Sequence, residues 1–243
     1  SMVDIMLMQA LLDAVKPGCK MVFVGDADQL PSVGAGNVLD DIIASQLVPV
    51  IRLDTIFRQA EESMIVVNAH RMNGGEYPLC NQKDKDFFFI AAKTGDEIAR
   101  TVVNLVCERL PNAYGFDPMR DIQVVSPMKK TPAGVMALNQ ELQRALNPPE
   151  EGKRERVFLS RILREGDKVM QVKNNYDMQW ERVGSEEEGI GVYNGDIGYI
   201  KEVKTTSVTV VFDDDRQVEY PNSMLEELEL AYAITVHKSQ GSE

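Results

Sequence analysis

Lys20-Met21-Val22-Phe23-Val24-Gly25-Asp26-Ala27-Asp28-Gln29-Leu30-Pro31-Ser32-Val33-Gly34-Ala35-Gly36 is the stretch from which the rest of the chain can be read. Its first six residues form a short apolar run bounded by turn signals, the pattern of a parallel strand buried on both faces. A polar loop with glycines at 25, 34 and 36 follows. Open α/β sheets place their ligands at that carboxyl end of their strands. Such a loop can bring backbone amides and one amide side chain, that of Gln29, close to a phosphate. On spacing alone, an ordinary glycine-rich connection from strand to helix explains the same residues equally well.

Outward from this loop, the first half of the chain alternates. Helical periodicity covers Met2 to Val15, Gly36 to Ser45, Ser63 to Met72, Gly95 to Leu110 and Gly134 to Leu146. Short apolar runs at Lys20 to Gly25, Val48 to Leu53, Asp86 to Ala92 and Ile122 to Val125 read as strands. Strands alternating with helices imply βαβ units and a mostly parallel sheet, hence an α/β fold. The pattern shifts after Asn147-Pro148-Pro149. From about Arg164 to Tyr220, short strands (Lys168 to Lys173, Gly198 to Val203, Ser207 to Phe212, Gln217 to Tyr220) are separated by turns such as Asn194-Gly195-Asp196 and Asp213-Asp214-Asp215. That is the signature of a small antiparallel barrel, with Ser185 to Gly189 as an exposed hairpin tip. Past Leu228 a buried strand, Leu230 to Thr235, resumes.

Composition narrows the function classes. With 243 residues, 44% hydrophobic and 26% charged, the chain resembles an ordinary soluble globular protein of one large domain or two modest ones. No apolar run approaches the roughly 20 residues of a bilayer span. Ser1-Met2-Val3-Asp4 opens no secretory signal, and three cysteines that are far apart and odd in number suit a reducing cytosol, so a cytoplasmic location is expected. Cys19, Cys80 and Cys107 lack metal-ligand spacing and there are only two histidines, so no metal site is expected in the chain itself. Cys107 reads as a small buried hydrophobe on a helix stripe. The net charge of −12 argues against a broad basic nucleic-acid face, but not against a narrow cleft in which hydroxyls, amides and a few cations hold phosphates.

Two further stretches bring together groups with chemistry. Leu53-Asp54-Thr55-Ile56-Phe57-Arg58-Gln59 places an arginine just after a strand, where a surface ion pair of little energetic weight is the plain alternative. Leu230-Ala231-Tyr232-Ala233-Ile234-Thr235-Val236-His237-Lys238-Ser239-Gln240-Gly241-Ser242-Glu243 is a buried strand delivering hydroxyl, imidazole, ammonium and amide groups to one spot. Those groups suit a sugar–phosphate backbone, because none of them needs to read a base.

All three stretches resemble motifs of RecD-type superfamily 1 DNA helicases. The first is similar to their third motif and runs on through Asn37-Val38-Leu39; the second resembles the fourth motif and the third the fifth. Ser126-Pro127-Met128, with Gly134 opening a helix that contains Leu138-Asn139, resembles the segment in which a Ser or Thr touches a DNA phosphate. Gly166-Asp167-Lys168-Val169-Met170-Gln171, Asn174-Asn175-Tyr176 and Tyr193-Asn194-Gly195-Asp196-Ile197-Gly198 resemble the family's inserted SH3-like barrel. In that barrel Tyr176 and Trp180 are read as packed aromatics, with stacking on a base as the alternative.

The resemblance implies RecA-like P-loop NTPase helicase domains with a parallel sheet and an inserted SH3-like β-barrel. Residues 1–60 would be the rear part of a first motor domain, 61–163 and 222–243 a second, and 164–221 the barrel. It implies Gln29 and Arg58 as the catalytic pair, with Gly25, Asp26, Gln29, Arg58, Gln240, Gly241 and Glu243 on the nucleotide side. Ser126, Pro127, Thr235, His237 and Lys238 would lie along single-stranded DNA. The implied cofactors are ATP and Mg2+; the implied partners are single-stranded DNA and the subunits of an exonuclease V complex. No G-x-x-x-x-G-K-[ST] phosphate loop occurs in the chain. The family's magnesium-holding acidic pair would stand directly before Ser1 and its sixth motif after Glu243. The chain thus reads as an internal piece of an ATP-dependent helicase moving 5′ to 3′, inactive by itself. A nuclease and a non-catalytic DNA-binding or scaffold module are the rival readings.

Overall fold

The computed structural model describes residues 3–53, 63–83 and 85–240. The chain divides into two compact units, residues 1–91 and 92–243. In the first unit, helices α1 (Ile5–Ala14), α2 (Val38–Ser45) and α3 (Met64–Asn73) form where the periodicity predicts. Asp4 caps α1 by accepting from the Leu7 amide at 2.8 Å, satisfying one of the orphan donors of its first turn. The glycine-rich loop lies against this same end, with the Ile5 amide donating to the Ala35 carbonyl at 3.0 Å. A Cβ on Gly36 would come within 2.5 Å of the Ile5 side chain, and Gly36 has φ +96°, so two constraints favour glycine there.

The expected strands of this unit differ from observation. Residues 20–25, 48–53 and 86–92 carry no regular secondary structure, and none joins a ladder among the described residues. Val22, Val24, Ile51 and Leu53 are more than four-fifths exposed. A parallel strand needs neighbours on its edges and cover on its faces. Apolar sequence creates the demand for that burial but does not supply the partner.

The second unit holds the larger core. Helix α4 (Gly95–Asn104) runs through a π-helical turn, Leu105–Arg109, into α5 (Leu110–Tyr114). The helix was expected to end at Leu110. It continues because the Leu110 amide bonds to the Leu105 carbonyl, five residues back, and this wider turn makes room for Pro111, which has no N–H and would clash in a regular helix. Strand β1 (Val124–Ser126) and helix α6 (Val135–Leu146) follow. Next comes a hairpin that the periodicity does not predict, β2 (Glu155–Phe158) with β3 (Arg161–Arg164).

The chain then forms β4 (Lys168–Gln171), β5 (Asn175–Arg182), β6 (Glu188–Val192), β7 (Ile197–Val203), β8 (Ser207–Phe212), β9 (Arg216–Pro221) and β10 (Leu228–Leu230). These seven strands make an antiparallel sheet in the order β10-β4-β7-β8-β9-β5-β6. One core joins the sheet to α4 and α6 through Val106, Leu138, Leu142, Val169, Val210 and Tyr220.

Leu230 to Thr235 is not one strand. β10 pairs antiparallel with β4, whereas β11 (Ala233–Thr235) pairs parallel with β1. Ala231 and Tyr232 carry the chain from one sheet to the other, and both are buried. The junction is tied by Asp167, a fully buried carboxylate. It accepts from Tyr232 Oη at 2.8 Å, Asn147 Nδ2 at 2.7 Å, Gln143 Nε2 at 2.6 Å and the Arg164 amide at 2.7 Å. Burial raises the Asp167 pKa, while these donors pull it back.

Trp180 packs against the core, as expected, whereas Tyr176 is 64% exposed and meets Tyr193 edge-on at 5.9 Å. Gly189 lies opposite Trp180 across the β5–β6 pair, and a Cβ there would sit 2.5 Å from the indole. Gly189→Ala is therefore expected to displace the only tryptophan of the chain and cost about 1–2 kcal/mol by overpacking. Trp180 emission and a urea unfolding midpoint check this; an unchanged spectrum and midpoint would show that the glycine is not needed.

Candidate nucleic-acid interface

The parallel pair β1–β11 has the register Val124↔Ala233, Val125↔Ile234 and Ser126↔Thr235. Ser126 and Thr235, distant in sequence, are thus neighbours at the carboxyl ends of two adjacent parallel strands. Asn139 of α6 pins β11 from behind. Its Nδ2 donates to the Leu230 carbonyl at 3.1 Å and the Ala233 carbonyl at 2.9 Å, and its Oδ1 accepts from the Ala233 amide at 2.8 Å. A buried amide satisfied by three main-chain bonds fixes the strand end that carries Thr235.

Thr235 caps the short helix α7 (Val236–Ser239), its Oγ1 accepting from the Lys238 amide at 3.2 Å. His237 is exposed on that turn, and Pro127 is exposed beyond β1. Lys238 Nζ pairs with Glu229 at 2.8 Å. Burial pushes the Glu229 carboxyl up, but the Lys238 ammonium, with Arg161 and Lys129, outweighs it and holds the pKa below the ordinary carboxylate value.

Ser126 differs from the expectation of a hydroxyl facing a phosphate. It is 4% exposed, and its Oγ donates to the Ala133 carbonyl at 2.9 Å. In this conformation it shapes the loop that follows β1. That loop is closed by the Val135 amide on the Met128 carbonyl at 2.9 Å. Gly134 is required there, because a Cβ would lie 2.8 Å from the Lys129 and Thr131 backbone. The loop leaves Lys129 and Lys130 exposed beside the strand ends. Neither lysine stood out in the sequence, since a single surface lysine carries no pattern.

Among the nucleotide-side residues, Gly25, Asp26 and Gln29 lie on an exposed loop of the first unit. Asp26 organises it: its carboxylate accepts from the Asp28 amide at 3.0 Å and from Gln29 Nε2 at 3.2 Å. Gln240 follows α7 in the second unit. Arg58, Gly241 and Glu243 lie outside the described residues. Among the described residues no group of three or more His, Cys, Asp or Glu side chains could hold a metal ion. No helix among them is long and apolar enough to cross a membrane.

Comparison with known proteins gives two family matches. Residues 138–212 match the family described as the ATP-dependent RecD-like DNA helicase SH3 domain, and residues 1–89 match an AAA domain family. The chain is similar to the ATP-dependent RecD2 DNA helicase of Deinococcus radiodurans, at 36% identity over all of this chain and 30% of that protein. It is also similar to the RecBCD enzyme subunit RecD of Mycolicibacterium smegmatis, at 28% identity over all of this chain and 42% of that protein. The chain thus spans less than half the length of these relatives. Bacteroides Pif1 bound to ssDNA aligns with a TM-score of 0.46 at 20% identity, covering 92% of this chain and 54% of that one.

Proposed function

Because this chain belongs to the RecD-like DNA helicase family, with its α/β fold of RecA-like domains and an SH3-like barrel, we propose that it is part of an ATP-driven motor on single-stranded DNA. Its second unit would grip the strand. The observation that carries this reading is the Ser126↔Thr235 register. It sets the Ser126 loop and the Thr235–Lys238 turn side by side at the carboxyl ends of parallel strands, where α/β sheets bind their ligands. Thr235, only 7% exposed, accepts from the Lys238 amide and retains its hydroxyl proton, His237 adds an exposed imidazole, and Lys238 adds a cation. These groups contact phosphate and sugar without selecting sequence. The barrel and motor boundaries proposed are 1–60, 61–163 with 222–243, and 164–221.

On the nucleotide side, the Asp26–Gln29 loop fits a phosphate sensor, since Asp26 holds the Gln29 amide in place on an exposed turn. Gln240, Gly241 and Glu243 are likewise proposed as nucleotide-binding residues, and Arg58 as the guanidinium for the terminal phosphate. ATP, when bound, supplies the free energy for translocation, proposed here as 5′ to 3′. Without a phosphate loop in its sequence, this chain is not expected to turn over ATP by itself. Identity is higher to the RecD2 helicase than to the RecBCD subunit, 36% against 28%. That favours a helicase over membership in an exonuclease complex.

Binding of a fluorescein-labelled oligothymidylate to this chain tests the strand grip. The expected result is binding that weakens with salt, and a further loss of about ten- to a hundredfold in Thr235→Ala, the size of one lost hydrogen bond to a charged group. Equal affinity in the variant would remove Thr235 from the interface.

A further inference from the structure

Beside β11 lies a cleft of about 190 Å³ whose floor includes Met170 and Ile234 and whose rim carries Lys129, Arg161, Glu229 and Lys238. Three cations therefore face one carboxylate, in a protein whose net charge is −12. Neither the family motifs nor the comparisons assign Lys129, Arg161 or Glu229 a role.

Arg161 is the most constrained of the three cations. It begins β3, its Nη2 donates to the Leu225 carbonyl at 2.8 Å, and its guanidinium lies 5.3 Å from the centroid of the Phe158 ring. Its Nε is buried and has no acceptor. A buried donor without a partner is costly, so this guanidinium is incompletely satisfied by the described residues. Glu229 sits between the cations: it pairs with Lys238 at 2.8 Å and is attracted by Arg161 and Lys129. Among the described residues that line the cleft, Glu229 is the one carboxylate beside three cations.

We infer that this cleft is a phosphodiester-binding subsite of the strand path, in which the Glu229 carboxylate stands in for a backbone phosphate until single-stranded nucleic acid displaces it. The inference rests on the reading of β1–β11 as the strand grip, because Thr235 and Lys238 line both. In the free protein, Lys238 is held by Glu229. On binding, a phosphate takes the Lys238 ammonium and the Arg161 guanidinium, and Glu229 swings toward solvent. Its side chain is 46% exposed and so has room to do this. Glu229 thereby opposes binding, and strand affinity reflects the difference between two anions competing for the same cations.

The test is anisotropy of the same labelled oligothymidylate over a salt series, with the full chain and its Glu229→Gln, Arg161→Ala and Arg161→Lys variants. Thermal melts check that each variant is folded. Glu229→Gln is expected to tighten binding about three- to tenfold. Arg161→Ala is expected to weaken it and to reduce the log–log salt slope by about 0.7, the value for one phosphate on a single strand. Arg161→Lys should restore the slope but only part of the affinity, since an ammonium cannot offer the planar fork of a guanidinium. Unchanged or weaker binding in Glu229→Gln overturns the exchange. Wild-type affinity and slope in Arg161→Ala, with Thr235→Ala still impaired, overturns the subsite but leaves the strand grip standing. No binding by the unaltered chain at low salt overturns both. Binding of labelled ATP that Arg161→Ala abolishes, with oligothymidylate unaffected, would reassign the cleft to a nucleotide phosphate.

Discussion

Asp167→Ala is expected to lower the unfolding free energy by about 4 kcal/mol, read as a shift of the urea midpoint at unchanged slope. The size follows from what the carboxylate holds. Four donors from three regions of the chain converge on it: Gln143 of α6 with Asn147 just past its end, the Arg164 amide at the end of β3, and Tyr232 at the crossing between sheets. Alanine leaves them in a site of zero exposure, and each buried donor left without a partner costs about 1–3 kcal/mol. Some loss is recovered, because Gln143 also bonds to Ile162 and Asn147 to Glu165. Asp167→Asn should cost about half as much, since one oxygen still accepts while its NH2 group faces donors. Stability within 1 kcal/mol of the unaltered chain in both variants would mean that the network does not tie the junction.

Arg58→Ala, made in an ATP-hydrolysing helicase that contains this chain, is expected to lower turnover about 10³-fold or more while leaving nucleotide binding largely intact. The argument is chemical. A planar guanidinium directed at the transferring phosphoryl group stabilises charge that develops in the transition state, so its removal affects the rate more than ground-state affinity. Steady-state hydrolysis together with binding of a labelled nucleotide separates the two effects. Near-wild-type turnover would exclude Arg58 as a finger, and an equal loss in affinity would make it a binding residue.

What the sequence reveals, and what it conceals, follows from how far each interaction reaches along the chain. Helices α1 and α3 are legible because their signals are local: the apolar periodicity from Ile5 to Val15 in one, and Asn73-Gly74 at the end of the other. The turns of the antiparallel sheet are legible for the same reason. The β2–β3 hairpin is not, because its turn carries Leu159 at φ +53° where a glycine or asparagine usually marks the reversal. The break at Ala231-Tyr232 is hidden too. The run from Leu230 to Thr235 is uniformly apolar, and only pairing with β4 on one side and β1 on the other divides it.

The candidate site divides in the same way. Thr235, His237 and Lys238 are contiguous and stand out together. The Gly166-Asp167 segment suggested only turn geometry, although a carboxylate next to the buried Val169 and Met170 was a signal that it needed partners. Lys129, Arg161 and Glu229 come from three separate segments and meet only in the folded cleft, so no motif could announce them.

The central claim is that the carboxyl end of the β1–β11 pair is the strand-binding surface. An amide-resolved NMR titration of this chain with a short oligothymidylate tests it most directly. The predicted result is that the largest shift changes fall on Ser126 to Lys129 and Thr235 to Lys238. Changes confined to the seven-stranded sheet, with those two segments unmoved, would contradict it.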